Sequence, residues 1–250
     1  MSESHADQIA STLEEAVPPR GEPHSAFSKR RKRYIIVLVA IAAVFSPLSS
    51  FIYYPAIQTL AGDLRVSIEK INLGITTYMV VSGVTPAFVG DLADQIGRRP
   101  VYLTTLGIYL LANVGLALQS NYAALLVLRA LQSAGSSGTI AIAYGVISDV
   151  ATPAERGSYV GAFQIGAMST SPNVAPSFGP VIGAVLADLA GWRWIFWFLA
   201  ICSGFVLCLL FLFLPETARK IVGNGAVSSK SILATKRFGR SESQPPATPG

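Results

Sequence analysis

GDLADQIGRRP, residues 90–100, is a short run of charge and glycine set between two long apolar stretches. In a chain with 13% charged and 51% hydrophobic residues, it reads as a tight charged turn joining two membrane spans. The mean hydropathy of +0.49 is equally foreign to an ordinary soluble domain.

A helix needs about 20 apolar residues, at about 1.5 Å each, to cross a hydrocarbon core of about 30 Å. Six stretches meet that demand: 34–57, 73–89, 101–118, 122–150, 157–189 and 192–214. The expected architecture is therefore an all-α membrane protein of six transmembrane helices. Residues 34–222 form the membrane domain, between disordered cytoplasmic tails at 1–33 and 223–250 that are rich in Ser, Pro and charge. The first 33 residues contain no apolar stretch of signal-peptide type, so no cleaved leader is expected.

Charge placement orients the chain. Of its 19 Lys and Arg, fifteen fall on the side of the N-terminus, Arg65, Lys70 and Arg193 fall on the other side, and Arg129 lies inside a span. That asymmetry predicts both termini in the cytoplasm. The basic cluster 29–33 before the first span reads as an orienting signal against anionic lipid headgroups rather than a nucleic-acid contact. Cys202 and Cys208 lie six apart in one span, about 240° around a helix, and so cannot bridge each other. The two histidines, His5 and His24, sit in the N-terminal tail. No metal-ligand cluster or nucleophile set stands in the membrane region, which argues against an enzyme.

The spans contain an internal repeat. Leu92, Ala93, Asp94, Gly97 and Arg99 match Leu186, Ala187, Asp188, Gly191 and Arg193 at a constant offset of 94. One copy follows the second span and the other the fifth, so they emerge on opposite faces. An inverted three-plus-three repeat, the plan of secondary transporters, predicts that relation.

Arg129 is the sharpest single residue, about 10 Å into the fourth span. A guanidinium at that depth needs partners or water. Gln132, Ser133 and Ser136 follow at i+3, i+4 and i+7, making one polar stripe. Ser46, Ser49, Ser50 and Tyr53 form a second polar face on the first span, and Gln164 stands alone in the fifth. No Asp or Glu lies in the core of any span. Gly179 and Gly183 make a small-xxx-small ridge. Pro172, Pro176 and Pro180 fall four apart, each removing a backbone donor.

Taken together these stretches resemble the motifs of the major facilitator superfamily. Residues 90–100 resemble motif A, with Gly90, Asp94, Gly97, Arg98 and Arg99. LRALQSAG, with Arg129 and Gln132, resembles motif B, and the 179–184 run, with Gly179, Pro180 and Gly183, resembles motif C. PAERG, WRWIFWFL and PETAR at 215–219 complete the set. The nearest pattern is the N-terminal half of twelve-span drug:proton antiporters, fungal quinidine-resistance-type exporters among them.

The resemblance implies proton-driven efflux of drugs or other small amphipathic or cationic compounds by alternating access, in the plasma membrane, with the proton gradient as energy source and no cofactor. It implies a latch at Asp94 and Arg98, proton coupling and a cavity at Arg129, Gln132, Ser49, Tyr53 and Gln164, and a bend at Gly179, Pro180 and Gly183. An alternative is a non-transporting half-carrier that pairs with itself or another transporter. The interval from Arg156 to Gly179 exceeds the pattern by about five residues, which turn a helix by about 500°. A break near Pro172 is expected to absorb them.

Overall fold

The structure, a computed structural model, describes residues 29–152, 154–167 and 174–214. Among them every regular element is helical: α1 (Lys29–Ala43), α2 (Phe45–Phe51), a 3-10 turn (Tyr54–Ala56), α3 (Ile57–Leu64), α4 (Ile68–Ile96), α5 (Arg98–Leu118), α6 (Tyr122–Val150), α7 (Arg156–Ala167), α8 (Val174–Ala190) and α9 (Arg193–Phe213). Residues 1–28 and 223–250 of the expected tails, the proposed break near Pro172 and the PETAR stretch lie outside the described residues, whereas residues 29–33, expected in the disordered N-terminal tail, form the start of α1.

Among the described residues, five helical stretches are long and apolar enough to cross a membrane: Arg30–Leu64, Ile68–Ile96, Arg98–Leu118, Tyr122–Val150 and Arg193–Phe213. The remaining span of the sequence reading corresponds to α7 and α8, which lie on either side of residues 168–173. The first span is segmented by its prolines. α1 stops at Ala43 and α2 at Phe51, each four residues before a proline, Pro47 and Pro55. A proline has no N–H for the carbonyl four residues back, and its ring crowds that carbonyl. The helix nonetheless starts at Lys29, ahead of Tyr34, and runs on beyond Ile57 to Leu64. Hydropathy underestimates it because charged and polar ends continue a helix into the headgroup region.

The motif at 90–100 is likewise helical almost throughout. α4 continues to Ile96 and α5 starts at Arg98, so Gly97 alone makes the turn that the sequence spread over eleven residues. Polar side chains one helical turn apart sustain the α4 end: Gln95 Nε2 donates to Asp91 Oδ2 at 2.7 Å. Gly97 has φ 117° and ψ 154°, a backbone that side chains with a Cβ resist.

Only two glycines among the described residues have positive φ, Gly97 and Gly191 (φ 89°). They are the matched glycines of the 94-residue repeat. Each ends the second span of its triplet and starts the third, one at the end that carries Lys29 and the other at the opposite end. The chain thus folds as two inverted triplets, the six-helix plan its sequence implied.

Two apolar cores stack along the bundle. One, towards Lys29, gathers Ile35, Val39, Ala93, Tyr102, Leu106, Ile142, Val146, Phe163 and Leu210. The other gathers Ile52, Leu60, Ile71, Leu116, Leu125, Trp192, Ile195 and Leu199. α6 is the pivot, packed along both α4 and α5, with α9 against the far side of α5. Its glycines allow this: a Cβ on Gly135 would stand 2.6 Å from the Tyr109 nitrogen and 2.7 Å from the Thr105 oxygen.

Candidate functional site

Between the two cores lies a layer of polar side chains. On each helix they fall, in sequence, between residues of one core and residues of the other: Ser46 and Ser49 on α2, Tyr78 on α4, Tyr109 and Asn113 on α5, Arg129 to Ser136 on α6. Every one is buried.

Arg129 is at the centre, 1% exposed. Its Nη1 donates to Gln132 Oε1 at 2.7 Å and to the Ser49 carbonyl at 3.4 Å. Ser49 stands in the last turn of α2, where a helix end leaves carbonyls over. The guanidinium carbon lies 4.2 Å from the Tyr53 ring centroid and 4.6 Å from that of Tyr78. Two aromatic faces thus hold the cation in place of a carboxylate. No acidic group among the described residues forms an ion pair with it. Its Nε and Nη2, and the buried Tyr53 hydroxyl, have no hydrogen-bond partner among the described residues.

The layer is a connected network. Gln132 Nε2 donates to Asn113 Oδ1 at 2.7 Å, and Asn113 Nδ2 to the Tyr109 carbonyl at 2.8 Å. The Ser49 and Tyr109 hydroxyls meet at 2.5 Å. The Tyr78 hydroxyl donates to the Ser46 carbonyl at 3.0 Å and lies 2.9 Å from Ser136 Oγ, while Ser133 Oγ donates to the Tyr78 carbonyl at 2.6 Å. Four helices, α2, α4, α5 and α6, are therefore tied together around one permanent positive charge.

The sequence reading brought Arg129, Gln132, Ser49 and Tyr53 to this place. It also included Gln164, which the structure does not bring there. Gln164 is exposed on α7, and its Nε2 reaches the Tyr144 hydroxyl at 3.4 Å. A lone polar residue gives no helical phase, so its facing was not legible. Asn113, Tyr78 and Tyr109 were missed; an amide inside an apolar span is itself a signal, but the tyrosines carry none.

At the Lys29 end, Arg98 is nearly buried between two carboxylates. Its Nη2 lies 2.5 Å from Asp94 Oδ1 and its Nε donates to Asp149 Oδ2 at 2.9 Å. Asp149, at the end of α6, was not singled out in the sequence. Gly145 makes room, since a Cβ there would collide with the Arg98 guanidinium. Arg99 instead turns towards α9 and donates to the Phe211 carbonyl at 2.6 Å. Beside them Lys32 pairs with Glu155 Oε2 at 3.2 Å, joining the start of α1 to the α6–α7 link. A Cβ on Gly90 would meet nothing within 4 Å, so no packing among the described residues requires a glycine there.

Gly179 and Gly183 press α8 onto the end of α2. A Cβ on Gly179 would stand 2.8 Å from Phe51 Cβ, and one on Gly183 would overlap the Ile52 carbonyl oxygen. Pro180 lies inside α8, which continues past it.

A family model described as Major Facilitator Superfamily matches residues 39–243. The chain is 47% identical over 223 residues to "MFS-type transporter tstD" of Talaromyces stipitatus, covering 89% of this chain and 39% of that protein. It is 44% identical over 222 residues to "Citrate exporter 1" of Aspergillus niger, covering 89% and 41%. To "Quinidine resistance protein 1" of Saccharomyces cerevisiae it is 43% identical over 214 residues, covering 84% and 37%. Among solved structures it superposes on the proton:xylose symporter XylE with a TM-score of 0.64 at 15% identity, covering 80% of this chain and 48% of that one. The chain thus spans about two-fifths of the length of the curated relatives it matches.

Proposed function

Because this chain belongs to the Major Facilitator Superfamily, we propose that it carries small organic compounds out across the plasma membrane by alternating access, in exchange for protons. Its termini face the cytoplasm in this reading, with the basic start of α1 at the anionic leaflet. The relatives are transporters rather than enzymes, and one is named for quinidine resistance, which supports a drug-like amphipathic substrate.

The observation that carries the proposal is the Arg129 layer. A guanidinium 1% exposed in the middle of a membrane bundle, without a carboxylate partner among the described residues, is costly by a few kcal/mol. It stays protonated, so it is not the proton carrier; it sets the field in which a titrating group or a substrate changes charge. The carboxylate that exchanges the proton is not among the described membrane residues and, in this reading, comes from the remainder of a full-length carrier.

A second reading of the substrate has its own observation. Among the described residues, Arg129 Nε and Nη2 find no acceptor, and neither does the neighbouring Tyr53 hydroxyl find a partner. Such a site attracts an organic anion and repels a cation. A relative named as a citrate exporter supports this reading.

The partner of this half is either the other half of a carrier or a second copy. It would cover the apolar faces that α4 (Met79, Val80, Val84, Phe88) and α8 (Phe178, Val181, Val185, Leu189) leave exposed.

Flux in proteoliposomes with an imposed pH gradient tests the proposal, using this chain alone and co-reconstituted with the remaining half of a relative. Gradient-driven export of a cationic dye that Arg129→Ala abolishes and Arg129→Lys only weakens supports the first reading; the same pattern with citrate supports the second. Transport indifferent to Arg129→Ala in both cases removes the site from the mechanism.

A further inference from the structure

The Lys29 end is fastened by a donor in the turn after Gly97 reaching a carboxylate at the end of the first span of the other triplet: Arg98 to Asp149. The opposite end repeats this arrangement with different residues. Trp192 occupies the place of Arg98 in the 94-residue repeat, directly after the second positive-φ glycine, Gly191. Its Nε1 donates to Asp63 Oδ2 at 2.8 Å. Asp63 stands in the last turn of α3, where the first span ends, as Asp149 stands in the last turn of α6, where the fourth span ends. Arg193 adds an ion pair, its Nη1 3.6 Å from the same Asp63 oxygen, while its guanidinium lies 4.3 Å over the Trp192 ring.

We infer that Asp63, Trp192 and Arg193 form a second latch, the inverted counterpart of the Asp94–Arg98–Asp149 cluster, with Asp63 as the residue that positions the α8–α9 turn against the end of the first span. The two latches are unequal. The side chains of Arg98 and Asp149 are 10% and 15% exposed, whereas those of Arg193 and Asp63 are 43% and 55% exposed. Solvent screens the second pair, and its ionic contact is longer. The indole N–H of buried Trp192 is its better-sheltered component. The far end therefore opens at lower cost than the Lys29 end. Its part in transport rests on the carrier reading above, but the latch itself does not.

Amide hydrogen exchange on the full chain in lipid nanodiscs reads the two ends separately. Wild-type amides at 60–66 and 190–195 are expected to exchange faster than those at 96–102 and 147–151. Asp63→Asn is expected to raise exchange at the first pair of segments about tenfold, the scale of losing a hydrogen bond to a charged group, and to leave the second pair within about twofold. Asp149→Asn should give the mirror image. Trp192→Phe, which keeps the ring and removes the N–H, should reproduce the Asp63→Asn pattern and serves where that variant fails to insert. Unchanged exchange at the far end, or a uniform rise at both ends, overturns the inference. No substrate is needed, so a latch without transport and transport without a latch are distinguishable.

Discussion

Arg99 and Arg193, 94 residues apart in sequence, each donate to a carbonyl at the far end of the other's helix. Arg99 Nη2 reaches the Phe211 oxygen at 2.6 Å, near the end of α9, and Arg193 Nη2 reaches the Gln119 oxygen at 3.4 Å, just past the end of α5. A helix end leaves carbonyls unpaired and carries partial negative charge, so a guanidinium from an antiparallel neighbour satisfies both needs. The exchange is reciprocal because α5 and α9 are equivalent helices of two inverted triplets. Symmetry of this kind survives in contacts after most of the sequence match has gone.

The glycines that start these helices give the first prediction. Gly191 has φ 89° and nothing within 4 Å of a Cβ, so Gly191→Ala isolates backbone strain from packing. It should cost about 1–3 kcal/mol. Gly62, inside α3 with equally open surroundings, is the control. There alanine should stabilise by about 0.5–1 kcal/mol, because a helical glycine carries more unfolded-state freedom. Thermal unfolding in detergent compares the two, and equal shifts would show that positive φ is not the constraint.

The polar layer should behave as a unit. Asn113→Leu leaves Gln132 Nε2 buried without an acceptor, and Gln132→Leu leaves both Arg129 Nη1 and Asn113 Oδ1 short of a partner. Each should cost about 1–3 kcal/mol. The double variant removes both ends of the Gln132–Asn113 bond and should cost less than the sum, by about 0.5–3 kcal/mol. A double-mutant cycle on unfolding midpoints measures that coupling, and strict additivity would mean the bond contributes nothing.

What was legible in the sequence follows from the range of each signal. Arg129, Gln132, Ser133 and Ser136 share a face through the helical period alone, so a polar stripe in an apolar span was visible. The repeat was visible because Gly97 and Gly191 are required by backbone geometry, which leaves little choice of residue. The contacts between helices were not visible. Tyr53 was placed on a polar face of the first span, but its stacking on Arg129 from the segment after α2, that of Tyr78 from α4, and the meeting of Asp149 with Arg98 across 51 residues are set only by packing. The helical continuation through Asp91–Ile96 was misread as turn because charge density resembles a loop. Side chains spaced by four instead support one another along the helix.

The two carboxylates around Arg98 should prove unequal. Asp94 is 53% exposed in its side chain and pairs locally, across the Gly97 turn, so Asp94→Asn should cost about 0–1 kcal/mol. Asp149 is 15% exposed and bonds the nearly buried Arg98 from another helix. Asp149→Asn removes the sheltered partner of a buried cation and should cost about 3 kcal/mol. Unfolding at two salt concentrations separates them further: added salt should erase the Asp94→Asn difference and leave most of the Asp149→Asn one. Equal costs would mean that solvent reaches both pairs alike.

The glycines of α8 should rank by what their missing side chains would strike. A Cβ on Gly183 meets the Ile52 carbonyl oxygen, a backbone atom held in the turn between α2 and the 3-10 segment, which cannot rotate away. One on Gly179 meets Phe51 Cβ at 2.8 Å and the Ile52 nitrogen at 3.2 Å, close but less severe. One on Gly161 of α7 meets nothing within 4 Å. Gly183→Ala should therefore force α8 off α2 at a cost of about 1–3 kcal/mol, Gly179→Ala should cost less, and Gly161→Ala should be neutral or slightly stabilising. Because Ser49 and Tyr53 flank the displaced turn, the Gly183 variant should also loosen the hold on Arg129, which under the proposed carrier function would appear as lost turnover beyond the stability effect. If Gly183→Ala unfolds no more readily than Gly161→Ala, the α2–α8 contact is not the tight seam described, and the ridge of small residues needs a partner elsewhere.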